Sequence, residues 1–259
     1  LLGMVDAIAC EDTRHTQALL RAYGIDKSTG QLIAVHQHNE TQASQTVIDR
    51  LLAGQRVAYV SDAGTPGISD PGARLVAAVR AQSLRCIPLP GPSSVTTVLS
   101  AAGISDDQAG GFVFAGFLSS KTAERDRMVL ALAAETRAVV LLEAPHRMEA
   151  LAIALASLGE RAITVGRELT KQFEEIATVS AKDLPQWLSQ DANRLRGEFA
   201  LVVHPAPVQD SAGQDTRILK LLLEQLPLKT AVKLAADITG EPRNTLYQTA
   251  LDLKSANTV

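Results

Sequence analysis

Two α/β domains followed by a small helical domain are predicted by three observations on this 259-residue chain. Short apolar runs empty into loops rich in glycine, proline and small polar residues, as strands of a covered parallel sheet do at a ligand-facing edge. Strands alternate with helical patterns up to residue 111, and again, with a different grain, over residues 112 to 205. Past a polar, proline-bearing linker at 206 to 213, residues 214 to 259 place leucines and alanines at helical spacing.

Composition narrows the function classes. With 46% hydrophobic and 20% charged residues the chain has ample material for a core. Its net charge of −3 gives no global attraction to nucleic acid, so any RNA contact must rest on a local basic patch. Cys10 and Cys86 sit among apolar residues and outside any metal-ligand spacing, which predicts buried thiols in a reducing, cytoplasmic setting. No apolar run approaches the roughly 20 residues of a membrane span, and no signal peptide is visible, so no membrane partner is expected.

The chain starts at Leu1 without an initiator methionine, in a stretch that reads as a helix leading to a strand at 7 to 10; an upstream strand and its loop are expected before it. After that strand, EDTRHT at 11 to 16 packs two acids, Arg14 and His15 into six residues. Asp12 or Thr13 would cap the helix at 16 to 23, and the position after a strand equally suits a site. A strand at 31 to 35 runs into HQHNE, residues 36 to 40. His36 and His38 would share one face of a continued strand, but no third ligand lies at a convincing spacing, so no metal is expected. Polar contacts to a substrate or to the EDTRHT loop fit better, with His36 and Asn39 as the candidates.

The central stretch is VAYVSDAGTPGISDPG, residues 57 to 72. Residues 57 to 60 read as a strand buried on both faces. Asp62 and Thr65 then stand at its carboxyl end, where open α/β sheets bind ligands, and the glycines let a ligand approach the backbone. Asp70 before Pro71 reads as the N-cap of a helix at 73 to 82. A strand at 85 to 89 ends in PLPGPSS, where Pro90, Gly91 and Pro92 make a rigid turn and Ser93 or Ser94 caps a helix of small residues to 102. Free N–H groups and hydroxyls there suit a polar end of a ligand.

In the second domain, an aromatic strand at 112 to 118, a helix at 121 to 134 and strands at 138 to 142, 162 to 166 and 197 to 203 follow one another. Their ends carry EAPHR, RELTK and GE, which bring Glu143, Arg147, Arg167, Glu168, Lys171 and Glu198 to strand termini. Singly, such charges are most often solvated or ion-paired. The tail reads as three helices at 217 to 226, 228 to 239 and 241 to 253, with Gly240 as the turn before the last, in the manner of a helix-turn-helix unit. Its last helix opens on Arg243, Asn244, Thr245 and Tyr247, which would meet RNA or serve a packing role.

SDAGTPGISDPG, PLPGPSS, EAPHR, RELTK and GE, in this order, resemble the tetrapyrrole methylase superfamily, and EDTRHT with HQHNE resemble its ribosomal RNA small-subunit methyltransferase I family. The resemblance implies an α/β, two-domain tetrapyrrole methylase-like architecture with a small C-terminal helical (HTH-like) domain, and a homodimer. It implies S-adenosylmethionine in the cleft between the domains and 2′-O-methylation of a cytidine ribose in the decoding centre of small-subunit ribosomal RNA. The family's first strand and its Pro-rich loop have no counterpart in these residues. Carried over, the resemblance places the cofactor against Asp62, Thr65, Ser93, Ser94, Leu142 and the backbone of Gly197. A ribose hydroxyl is a weak acid and needs a base or a charge beside it. Glu143, Glu168 and Lys171 are the candidates, with Arg147 and Arg167 holding phosphates, and Arg14, His15, His36 and Asn39 as further substrate contacts. An assembly factor that binds RNA without catalysis, and a methylase of a small tetrapyrrole, are the alternatives.

Overall fold

The computed structural model describes residues 1–36, 39–105, 111–206 and 211–256, the side chains of 211–215 and 254–256 excepted. Residues 1–205 form one compact unit and residues 206–259 a second.

The first unit opens without the expected helix. Residues 1–6 are turns and bends, with Met4 N donating to Leu1 O at 2.8 Å. A three-stranded parallel sheet follows, built from β1 (Ala7–Cys10), β2 (Leu32–Ala34) and β3 (Val57–Val60) in the order β2-β1-β3. Only β1 is buried throughout. The expectation that residues 57–60 are covered on both faces is corrected, because β3 is an edge strand and half-buried along its length. Helices α1 (Thr13–Ala22), α2 (Glu40–Leu52) and α3 (Ala73–Ala81) flank this sheet, and Val47, Ile48, Leu75 and Val79 close a core over Ala7, Ala9 and Ile33. Residues 85–89 belong to no strand among the described residues. They have no ladder partner, and Ile87 and Leu89 are exposed, as is Cys86, against the expectation of two buried thiols. Cys10 is buried.

Helix α4 (Ser94–Ala101) lies on the sequence side of the first sheet but packs against the second: Val95, Val98 and Ala102 share a core with Ala138, Val140, Ala200 and Val202. That second sheet has five strands in the order β4-β5-β8-β6-β7, from β4 (Phe112–Gly116), β5 (Ala138–Glu143), β6 (Ala162–Arg167), β7 (Glu175–Ser180) and β8 (Phe199–Val203). β4 and β5 are parallel, and β8 inserts antiparallel between β5 and β6, with Leu141 opposite Leu201 and Val165 opposite Leu201. α5 (Thr122–Leu132), α6 (Pro145–Leu155) and α7 (Leu184–Ser189) cover the other face, where Met148, Leu151, Leu155, Leu184 and Leu188 pack on Val139, Leu141, Ile163 and Leu201. Pro145 stands in the first turn of α6, where its missing N–H costs nothing.

In the second unit, α8 (Ser211–Gln225), α9 (Leu228–Thr239) and α10 (Arg243–Ala256) enclose Leu219, Val232, Ala235, Leu246 and Ala250. α8 begins inside the stretch read as a linker at 206–213, which corrects that boundary. Residues 207–210 lie outside the described residues. Gly240 ends α9 in the left-handed region at φ 79°, with its N–H on Ala236 O, which is the chemistry that lets a second helix restart three residues later.

Candidate active site

A cleft of about 440 Å³ opens where loops from both sheets meet. One wall is the loop after β3, with Gly64, Thr65, Ile68, Ser69 and Asp70, and beside it Pro92, Ser93 and Ser94 at the start of α4. The facing wall comes from the second sheet: Leu142 to Pro145 at the end of β5, Leu169 to Lys171 after β6, and Glu198 to Ala200 at the start of β8. Phe117 closes one end. Of the sequence candidates, the structure brings Thr65, Ser93, Ser94, Leu142, Glu143 and Lys171 to this one surface.

The first wall is held by contacts that a pattern of residue types does not reveal. Thr65 Oγ1 donates to Pro92 O at 3.1 Å and ties the two glycine/proline loops together. Tyr59 Oη donates to Pro71 O at 2.6 Å, and a Cβ on Gly72 (φ 125°) would stand 2.3 Å from the Tyr59 ring, so only glycine fits there. Asp70 does not cap α3. Gly72 occupies the N-cap position, and the buried carboxylate of Glu40, from the start of α2, accepts from the N–H groups of Gly72, Arg74 and Leu75 through Oε1. Asp70 is thereby left to the cleft, and among the described residues its carboxyl makes no hydrogen bond. Ser93 occupies the N-cap position of α4 without a side-chain capping bond, so its hydroxyl too is open to a ligand.

The facing wall carries charge. Glu143 is 2% exposed; its Oε1 accepts from Ala144 N at 2.8 Å and pairs with Arg147 Nε at 3.1 Å, while Oε2 has no partner among the described residues. A buried carboxylate oxygen without a donor is costly, and a ligand N–H or O–H would satisfy it. Lys171 bridges Glu168 Oε1 at 2.9 Å and Glu198 Oε2 at 2.8 Å. Burial works against the Lys171 ammonium, but the bonds to Glu198 and Glu168 outweigh it and hold its pKa above the ordinary lysine value. The same Lys171 bond, helped by the N–H of Glu198, keeps the Glu168 carboxyl below its usual range. Gly197 (φ 84°) makes room for this arrangement: a Cβ there would meet Glu168 Cγ at 2.4 Å.

Several candidates are corrected. Asp62 does not line the cleft; its Oδ2 lies 3.1 Å from His15 Nδ1, joining the first turn of α1 to the loop after β3. Gly197 and Glu168 stand behind the wall rather than on it, and Glu168 and Lys171 are paired, so neither is a free base. Arg167 is buried, bound to Glu175 and to the carbonyls of Phe173 and Arg196, and Arg147 serves Glu143 and Leu118 O. Both are engaged by groups of the frame around the site. Asn39 accepts from His36 N and donates to Ala34 O, a turn that fixes the end of β2. Arg14, bound to the α1 N-cap Asp12 at 2.7 Å, and His15 are exposed and do not line the cleft. His38 lies outside the described residues. No group of three or more metal-type side chains occurs among the described residues, and no helix there is long and apolar enough to cross a membrane.

The cleft residues missed by sequence reasoning include Asp70, Ile68 and Phe117, while Glu198, read there only as one of the charges at strand ends, lines the cleft as well. Asp70 was assigned to capping, and only the position of Glu40, thirty residues earlier in the chain and therefore silent in local pattern, frees it.

Comparisons with known proteins agree with this geometry. The family model for Tetrapyrrole (Corrin/Porphyrin) Methylases matches residues 1–185, and that for the RsmI C-terminal HTH domain matches residues 209–254. The chain is 43% identical over 256 residues to the ribosomal RNA small subunit methyltransferase I of Escherichia coli O157:H7, covering 97% of this chain and 87% of that protein. To the protein of the same name from Xylella fastidiosa it is 44% identical over 252 residues, covering 95% and 90%. The solved uroporphyrin-III-C-methyltransferase from Thermus thermophilus superposes with a TM-score of 0.53 at 19% identity, over 81% of this chain and 86% of that one, and shares the fold. A cleft between two sheets of this topology, a C-terminal helical unit in the sequence and likeness over nearly the whole length lead to one conclusion: the chain belongs to the ribosomal RNA small subunit methyltransferase I family of the tetrapyrrole methylases.

Proposed function

We propose that the protein methylates the 2′-hydroxyl of a cytidine in the decoding centre of small-subunit ribosomal RNA, with S-adenosylmethionine as donor bound in the cleft. The observation that carries this reading is the cleft itself, where open hydroxyls and glycine backbone on one wall face a buried carboxylate with an unsatisfied oxygen on the other. Its volume of about 440 Å³ lies within the common range for small-molecule sites. The bound donor supplies a methyl group on a positively charged sulfur. This chain contributes Thr65, Ser93, Ser94 and the backbone at Leu142 to hold it, and Asp62 supports the loop from behind. Glu143 accepts a hydrogen bond from the acceptor side of the reaction, and Lys171, braced by Glu168, sets the charge next to it. The exposed Arg14 and His15 meet the RNA. The role of the cleft is mainly to hold donor and acceptor oxygen in line, which supplies most of the rate by removing the entropy of their encounter.

The assembly is proposed to be a homodimer acting in the cytoplasm, where its ribosomal substrate lies. Edge strand β4 exposes Phe112 and Phe114, an apolar edge that favours a second copy over solvent.

Incubation with labelled donor and either assembled small subunits or porphyrin precursors tests the reading: label enters the RNA and not the tetrapyrrole. Glu143→Gln is expected to lower turnover about 100-fold or more while donor affinity by calorimetry changes little. An unchanged turnover would remove Glu143 from the acceptor side.

A further inference from the structure

Three carboxylates line the cleft: Asp70, Glu143 and Glu198. Glu143 is held by Arg147 and Glu198 by Lys171. Asp70 has neither a cation nor a hydrogen-bond donor among the described residues, and it is partly withdrawn from solvent on the wall opposite those two. A carboxylate neutralised by an arginine or lysine is a poor proton acceptor, because accepting the proton breaks a favourable ion pair. An unpaired one among other acids gains by accepting it.

Resting on the methyl-transfer reading above, we propose that Asp70 is a catalytic residue, the group that takes the proton from the acceptor hydroxyl. The balance is simple. The hydroxyl oxygen forms its bond to the methyl carbon as the carbon–sulfur bond breaks and leaves its electron pair on sulfur, and the O–H proton passes to the Asp70 carboxylate. An oxygen that has begun to bond to carbon is far more acidic than a free alcohol, so a carboxylate is base enough. The proton then passes from the partly exposed carboxyl to solvent.

The surroundings tune Asp70 for this task. Burial, and then the charges of Glu11 after β1, of Glu198 across the cleft and of Asp62 after β3, push its pKa up to about 6. Of the carboxylates near it, Asp62 is bonded to His15, Glu198 to Lys171, Glu143 to Arg147, and Glu40 to the start of α3, while Glu11 acts on it through charge. A base whose pKa lies just below the working pH is ionised yet holds a proton well, which is the best compromise for general-base catalysis. Asp70 also sits next to Ser69, a non-glycine residue at φ 67°, so the loop is held in a conformation that serves the carboxyl's placement at local cost.

The test is single-turnover methylation of small subunits across pH 5 to 8 by wild type, Asp70→Asn, Asp70→Glu, His15→Gln and Glu143→Gln, with donor affinity measured for each. Wild type should gain rate with pH and level off above an inflection near 6. Asp70→Asn should lose about 100-fold or more in rate and the inflection with it, with donor affinity within about threefold, and Asp70→Glu should recover part of the rate. His15→Gln and Glu143→Gln should keep the inflection. In ligand-free protein, the melting-temperature difference between wild type and Asp70→Asn should change over the same pH range. Retention of the inflection in Asp70→Asn, or its loss in His15→Gln alone, would overturn the assignment while leaving the methylation reading intact. Wild type that binds donor but labels no RNA would instead overturn that reading.

Discussion

At the scale of single residues, the cleft puts charge where stability would not choose it. Asp70 has an ordinary aspartate pKa when unfolded and one raised to about 6 when folded. The folded state therefore binds the proton more tightly, and the ionised carboxylate destabilises it: the cost is absent below the unfolded pKa and complete above the folded one. Asp70→Asn should accordingly stabilise the protein at pH 7.5, by about 1–2 kcal/mol once solvent screening of this partly exposed group is allowed for, and by little at pH 4, read from denaturant melts. Equal effects at both pH values would show that the carboxyl charge is not the cause. Glu143 presents the same conflict in another form, a buried oxygen left without a donor, and the two face each other across one cleft.

At the scale of elements, the position of Asp70 depends on a carboxylate from elsewhere. Glu40 is 6% exposed and meets three N–H groups at the start of α3, where the helix dipole also favours negative charge. Its removal leaves those donors buried and unpaired, so Glu40→Ala should destabilise by about 2–3 kcal/mol in chemical denaturation. It should also weaken donor binding, because the loop from Thr65 to Gly72 is no longer anchored to α2. Glu40→Gln, which keeps an oxygen acceptor, should lose less of both. A Glu40→Ala variant with wild-type stability would mean that water or Asp70 takes over the cap.

At the scale of the molecule, two compact units divide the chain at residues 205 and 206. The first contains the whole cleft, and each unit has its own buried core. Deleting 206–259 should then leave donor affinity unchanged by calorimetry and lower affinity for the small subunit. In the second unit Arg243 already pairs with Asp237 at 3.2 Å, so a phosphate contact there competes with an existing ion pair, and about a tenfold loss is expected rather than abolition. Unchanged subunit affinity in the shortened protein would assign the helical unit to packing.

Local chemistry was enough to locate β1, β3, β5 and α9 to within a residue, because apolar runs and helical spacing are properties of neighbouring residues. The loops at their ends were legible for the same reason: Thr65, Ser93, Ser94, Leu142, Glu143 and Lys171, singled out in separate motifs, converge on one cleft. Pairing was not legible. Residues 85–89 have the composition of a strand but no sheet partner among the described residues, β7 is a strand only through β6, and α4 follows the first sheet in sequence while packing on the second. Nor could the sequence tell which charges are spent on one another. Arg147 and Arg167 are used inside the frame, Lys171 lies between two glutamates, and Asp70 is free only because Glu40 caps its helix. Burial and partner choice arise between residues distant in the chain, and tertiary structure alone decides them.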